Sequence, residues 1–523
     1  MMVPTRHAVH VALAGAVAAG VELVTGQAAL VAWGASMVVG IAIARAATLA
    51  SVTRIRAAGF EMLWHGSVRT VKAVRGREIV LEAEVRNRDT LAARFVGLRA
   101  IGSSQLKLRV EPSEGEVAAS GLLKVKVHVE PKRVGQHGIF GLALELRGAP
   151  GLFEVPLTFA NPFGVQVLPT AYSIIADSAR GGRARLAASA SRSGKARGDG
   201  SDLRELREYV SGDPFKRIAW RASARRGKLL VREVEREERD LVWIVLDASV
   251  ELWSGPSGVA PLDLAIEDAA SLVQRHLQLG DPTGLAMIAG RVLRWVEPES
   301  GPAHAASMMA ILATGAGTYD QDRSELDEAD VALRVIEHLR PLDARGLADV
   351  SRRDLDRLAQ RAVAVLSRAP FDPLPPAGQS PREQLLRRYL AAFGIESPAK
   401  LDSERARSDL TLADTLSRIA SGRVRPTLVY VLSPAPEPVP LVVNDALKKL
   451  RRHGVEVRWN TSSYEPSLRA IDDGRAETKH VIRAMLARAR LSKERGEKSL
   501  RHAGIRLARG RARRAEHPPE EHE

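Results

Sequence analysis

The hydrophobic pattern changes its period from region to region along this chain. Residues 8–24 carry no charge before Glu22, and residues 28–44 carry none. At about 17 residues each, they lie at the short end of what crosses a hydrocarbon layer of roughly 30 Å. Both are rich in Ala and Gly, which lets two helices approach closely, and Thr25-Gly26-Gln27 leaves room for a tight turn alone. Arg6 precedes the first stretch and Arg45, Arg54 and Arg56 follow the second, while the link has no positive charge. That asymmetry places both ends of the pair in the cytoplasm. The prediction is a transmembrane helical hairpin over 1–60 in a multi-pass protein of the inner (cytoplasmic) membrane, with the bulk of the chain cytoplasmic. A cleaved secretory signal is the rival reading; a second span of equal length argues against it.

From 61 to 175 the period shortens to two, in runs such as REIVLEAEVRN and LLKVKVHVEP broken by Gly, Pro, Asn and Asp. Short alternating strands with regular punctuation predict an all-β, sandwich-like domain. Asn161-Pro162-Phe163-Gly164 reads as a turn into its last segment, and His128 and His137 as isolated packed or surface imidazoles. Residues 176–202 turn to Ser, Gly, Ala and Arg, a flexible basic linker. Residues 203–238 are densely charged but keep Leu203, Leu206, Tyr209, Ile218, Trp220, Leu229 and Val231 at intervals, with Gly212-Asp213-Pro214 as a sharp turn.

Residues 239–475 alternate buried-strand runs (LVWIVLDAS, TGLAMIAG, VLRWVEP, RPTLVYVLSP, VEVRWNT) with runs at helical spacing. This predicts an α/β domain with a doubly wound sheet. Amphipathic helices over 317–424 form an insertion, either a lid or partner surface or an extra layer, and 476–523 reads as a basic helical tail.

Composition narrows the chemistry. The chain has 523 residues, a formal net charge of +15 and no cysteine, which excludes disulfides and thiolate metal sites. The positive charge favours acidic partners, with anionic lipid contact through the linker and tail as one form of this. No aromatic residues interleave the basic runs, so specific nucleic-acid binding is not expected. His276, His304 and His338 lack zinc-site spacing, and there is no phosphate loop and no nucleophile beside a base. Asp247, Ser249 and Glu251 follow a strand end, where α/β sheets bind ligands. They offer three oxygens to a hard cation such as Mg²⁺; the competing role for Asp247 is to cap a helix or pair with an Arg.

Leu206-Arg207-Glu208-Tyr209, Gly212-Asp213, Arg217-Ile218, Trp220, Ser223-Ala224-Arg225, Leu229 and Val231-Arg232-Glu233 together resemble the signature of the domain-of-unknown-function 58 family. Ala219 and Pro214 stand where that family usually has acidic residues. The resemblance implies a von Willebrand factor A-like module after the signature, and a partner among AAA ATPases of the MoxR group. It also likens Asp247 and Ser249 to the start of a metal-ion-dependent adhesion motif, Asp-x-Ser-x-Ser, with Glu251 at the third position and Thr314 or Thr318 supplying its threonine. Arg207, Tyr209, Asp213, Arg217, Trp220, Arg225, Arg232 and Glu233 are the candidate partner-binding residues, unless their charges pair across the turn and Trp220 covers apolar surface. The expected function is a membrane-anchored, non-enzymatic scaffold with no obligatory cofactor and at most weak Mg²⁺ binding. The alternatives are a metal-assisted hydrolase at Asp247 and Glu251, and a basic binder of anionic lipid or nucleic acid.

Overall fold

The computed structural model describes residues 2–26, 28–66, 68–148, 151–171, 192–197, 203–315, 317–348, 354–400, 405–471 and 475–508. The predicted linker lies outside the described residues except for the strand Arg192–Arg197. The chain forms two compact units, Met1–Leu168 with Ala316–Leu401, and Pro169–Gly315 with Asp402–Glu523.

The first unit opens with helices Arg6–Thr25 and Ala28–Ala58. They meet where a Cβ on Gly34 would come within 2.7 Å of the Gly15 carbonyl oxygen, so glycine is what permits the approach. Ala28–Ile55 is long and apolar enough to cross a membrane; the first helix contributes the shorter apolar run Arg6–Val21. The second helix runs well past residue 44, where the uncharged stretch ends, because Thr48, Val52 and Ile55 are buried beyond the first charge. Ile55 joins the core of the β-sheets.

That core lies between two sheets. One has the order Phe60–Trp64, Ile79–Asn87, Leu122–Pro131, Leu106–Glu111; the other includes Ala93–Gly102, Gly135–Arg147 and Phe153–Leu168. Alternation does the sorting: Val125, Val127 and Val129 are buried, while Lys124 and Lys126 are not. The segment read as a turn at Asn161 is a bulge inside one long strand. Pro162 has no N–H for the ladder, and a bulge accommodates that loss. Asn161 then ties the bulge down, donating to the Met62 carbonyl and accepting from the Trp64 indole.

The predicted insertion divides. Helices Glu328–Leu339, Leu355–Val365 and Pro381–Phe393 pack around Val335, Leu358, Ala362 and Tyr389 and belong to the sandwich unit. Ser103 donates to the Gly394 carbonyl, and Glu396 accepts from Ser104 and the Gln105 amide. The helices are therefore a structural layer on the sandwich. Helix Arg405–Ala420 instead belongs to the second unit and buries Leu412, Leu416 and Ile419 in its core.

The second unit holds a six-stranded sheet in the order Val292–Glu299, Thr283–Ile288, Val242–Asp247, Leu428–Ser433, Glu456–Thr461, Arg506–Leu507. Val292–Glu299 is antiparallel to its neighbour and the other pairings are parallel. Every residue of Val242–Asp247 is buried, as a strand covered on both faces requires. Trp243 and Val245 pack with helices Arg405–Ala420 and Leu441–Arg452, whereas Pro261–Leu279 contacts the same strand without joining that cluster. The tail is part of this fold: helix Ala476–His502 buries Leu500, and after Gly504 the chain adds the last strand. Residues 509–523 lie outside the described residues.

Candidate functional site

In strand order the sheet reverses direction between Val242–Asp247 and Leu428–Ser433, and such a switch point opens a crevice beyond the strands' carboxyl ends. Asp247 ends one strand and Ser433 ends the other. Asp247 is 2 % exposed and all its acceptor capacity is in use. Its Oδ1 takes the Ser249 amide and hydroxyl, and its Oδ2 takes the Ser433 hydroxyl at 2.7 Å. The remaining partner is a cation supplied by the protein. Arg405, at the start of helix Arg405–Ala420, places Nη1 2.9 Å from Asp247 Oδ2 and 2.7 Å from Glu251 Oε1. Its Nη2 donates to Ser433 Oγ at 3.0 Å, and its Nε lies 3.3 Å from Asp409, one helical turn on.

Burial opposes the Arg405 charge, but Asp247, Glu251 and Asp409 outweigh it and raise the guanidinium above its ordinary value. Burial pushes the Asp409 carboxyl up, as do the Asp247 and Glu251 charges, with Arg405 pulling it down. Tyr464 donates to the Glu251 carbonyl, and burial together with the Glu251 charge raises its phenol.

Of the residues read as an oxygen cage, the structure brings Asp247, Ser249 and Glu251 together around a guanidinium. The two threonines have other partners. Thr314 donates to Ile311 within its own helix, and Thr318 donates to the Ser397 carbonyl in the sandwich unit. Sequence reading missed Arg405, Asp409, Ser433 and Ser408, whose hydroxyl lies 3.0 Å from that of Ser249. The available signal was the Arg405/Asp409 spacing of four, which puts opposite charges on one helix face. Among the described residues no group of three or more His, Asp or Glu is arranged to hold a metal ion.

The signature residues fold separately, as strands Leu203–Glu208 and Leu230–Glu238 joined through helix Trp220–Arg226. Arg207 grips Asp213 with two bonds of 2.7 and 2.6 Å, and Asp213 also accepts the Val210 amide. With Gly212 at φ 108°, the turn is pinned from both sides. Ser223 accepts the Leu230 amide and donates to Ala219, fastening the helix to the strand. Arg207 and Asp213 are thus structural partners of each other.

Trp220 does not cover apolar surface; it is 62 % exposed, Phe215 is 72 % and Val210 62 %. The Tyr209 ring lies 6.2 Å from that of Phe215. Arg225 and Arg232 are also exposed. The side chains of Arg217 and Glu233 lie outside the described residues.

A cleft of about 890 Å³ lies between Pro261–Leu279 and Ala476–His502, beside Asn460, Thr461 and Ser463. Burial raises its Asp268 carboxyl, against a hydrogen bond from Asn460 and with the Glu267 charge. Several tail cations are already paired, Arg490 with Glu465, Arg495 with Glu437 and Arg501 with Glu497. Exposed pairs of this kind contribute little to stability.

Residues 205–362 match the family described as protein of unknown function DUF58. Uncharacterized proteins of Mycobacterium tuberculosis and Mycobacterium bovis are each 30% identical over 151 residues, which is 29% of this chain and 46% of theirs. The chain thus spans under half the length of the curated relatives it matches. Among solved structures, the PapD-like domain of human CEP192 aligns at TM-score 0.16 and 14% identity over 21% of this chain and 87% of that one. WR4, an MSP family member of C. elegans, aligns at 0.14 and 12% over 19% and 92%. Scores this low carry no conclusion about fold.

Proposed function

We propose that this is a membrane-anchored interaction protein whose signature hairpin docks a protein partner. The observation that carries the reading is the set of Val210, Phe215 and Trp220 side chains, each more than half exposed, on and just after a turn locked by Arg207 and Asp213. Exposed aromatics on a rigid support lose little entropy on binding and make effective anchors. The two N-terminal helices form the membrane hairpin, in the inner membrane with the other domains on the cytoplasmic side. The α/β unit is a von Willebrand factor A-like module, a reading supported by its strand order and antiparallel edge. Within it, the Arg405 guanidinium holds the carboxylates that a metal-assisted hydrolase would use, which favours docking over hydrolysis. The family resemblance makes a MoxR-type AAA ATPase the first partner to test.

The test is cross-linking of the full chain in native membranes, followed by identification of captured proteins, for the wild type and a Phe215→Ser/Trp220→Ser variant. A partner captured by the wild type and lost from the folded variant is the expected result. The same partner captured equally by both would refute the hairpin as the docking face.

A further inference from the structure

A cleft of about 490 Å³ in the first unit lies beside the second N-terminal helix, and its lining is split between basic and apolar groups. Arg54, Arg94 and Arg147 are its basic lining, and Val52, Ile55 and Leu146 its apolar lining. The cations are only partly satisfied by the protein. Arg54 gives its Nε to Asp89 at 2.8 Å, and Arg147 gives Nε and Nη2 to Glu154. Arg94 is exposed and makes no ion pair among the described residues. Burial works to raise the Asp89 carboxyl, but the Arg54 bond and charge hold it below its ordinary value, so it stays an anion beneath Arg54. The three guanidiniums line the cavity, and guanidinium N–H donors suit a phosphate.

Depth along the helix decides what phosphate this is. The first helix, 20 residues from Arg6, is about 30 Å long, which matches the hydrocarbon layer. The apolar stretch Ala28–Ile55 has 28 residues and is about 42 Å long, some eight residues more than that layer needs. Its excess is at residues 48–55, after the first helix has ended. There Gly148 of the sandwich packs on Thr48, close enough that a Cβ would clash, and Thr5 donates to the Gly151 and Leu152 carbonyls. The cleft therefore opens at headgroup level, with its arginines where phosphates lie and its apolar wall continuous with the span.

We infer that this cleft binds the headgroup of an anionic phospholipid, through phosphate contacts from Arg54, Arg94 and Arg147. The inference rests on the membrane reading of the Ala28–Ile55 helix. It places a specific lipid site on the anchor itself, apart from the basic linker and tail.

The test is native mass spectrometry of the full chain in detergent micelles, titrated with phosphatidylglycerol or phosphatidylcholine. Wild type should retain one phosphatidylglycerol at least tenfold more tightly than phosphatidylcholine. Arg94→Ala removes a group with no ion pair among the described residues; it should weaken phosphatidylglycerol about fivefold, the worth of one basic residue near anionic lipid, and Arg94→Lys should restore most of the loss. Equal retention of the two lipids, or an unchanged Arg94→Ala, would overturn the site. Displacement by inorganic phosphate at equal occupancy would show a soluble phosphate site and overturn the lipid assignment. Membrane fractionation separates the two levels. Wild type and variant should both sediment with membranes, and recovery of the wild type as soluble protein would defeat the membrane reading and the lipid site with it.

Discussion

Replacing Arg405 by alanine takes the guanidinium away from three carboxylates at once. In the wild type it lies 2.9 Å from Asp247, 2.7 Å from Glu251 and 3.3 Å from Asp409, and Asp247 is 2 % exposed. Removing one partner from such a cluster leaves buried charge uncompensated, at a cost of about 3–5 kcal/mol. That is a large part of an ordinary domain's stability of about 5–15 kcal/mol. The assay is hydrogen–deuterium exchange on the full chain in micelles, read at Val242–Asp247 and Leu428–Ser433, the strands that end at the site. At 1.4 kcal/mol per factor of ten, opening in these strands should speed up by roughly 10²-fold or more.

The defect should also depend on pH with a definite sign. Without Arg405 the carboxylates face one another in a partly buried crevice, and both effects raise their pKa in the folded state. The folded variant then binds protons that the unfolded chain does not, so its stability relative to wild type recovers as pH falls from about 7 toward 4. The emptied oxygen cage also suits a hard cation; Mg²⁺ at about 100 times its dissociation constant would return about 2.7 kcal/mol. An Arg405→Ala variant within about 0.5 kcal/mol of wild type at pH 7 would show that the guanidinium is not the site's counter-ion.

In the first unit, burial lowers His137 and His338 from 6.5 to about 4. The unfolded chain binds protons these imidazoles refuse, so stability should fall as pH drops through 6.5 to 4, by about 3 kcal/mol for each at the foot of the window. His338→Phe, packed between Phe140 and Phe393, should remove about half of that slope in an acid-unfolding series. Glu383→Gln should destabilise the inserted helices by about 3 kcal/mol or more in thermal melts, because fully buried Arg387 loses its 2.7 Å partner. Gly212→Ala forces a side chain into positive φ and should cost about 1–2 kcal/mol, seen as faster proteolysis within residues 209–216. Phe215→Ser/Trp220→Ser should leave the melting temperature almost unchanged, since neither side chain is buried.

Legibility followed how local the physics was. The buried strand Val242–Asp247 and the alternating strand Leu122–Pro131 announce themselves in sequence, because one run of side chains settles which faces are covered. The extension of the second helix to Ala58 was hidden by Arg45 and Arg54, since local charge cannot reveal that Val52 is buried and that Ile55 packs into a distant sheet core. The last strand, Arg506–Leu507, has two residues and no pattern of its own; it exists by pairing with Arg458 and Trp459. The candidate site divides the same way. Asp247, Ser249 and Glu251 stand within five positions and can be read together, whereas Arg405 and Ser433 reach them across more than 150 residues of chain.

The donor inventory of Arg405 bears on where a partner can bind. A guanidinium has five N–H donors. Two on Nη1 serve Asp247 and Glu251, one on Nη2 serves Ser433, and Nε faces Asp409. One N–H is left, too little for the bidentate grip by which arginine recognises an incoming carboxylate. A bound hard cation differs, because it can exchange a water for a partner's oxygen without giving up its protein ligands. An internal guanidinium therefore makes the switch point a fixed counter-ion for the sheet's carboxyl ends and removes the exchangeable position there. A partner docking on this unit, as proposed, would therefore use another part of it. The exposed Phe215 and Trp220 of the signature hairpin carry the apolar area that such a surface needs, and the switch point does not.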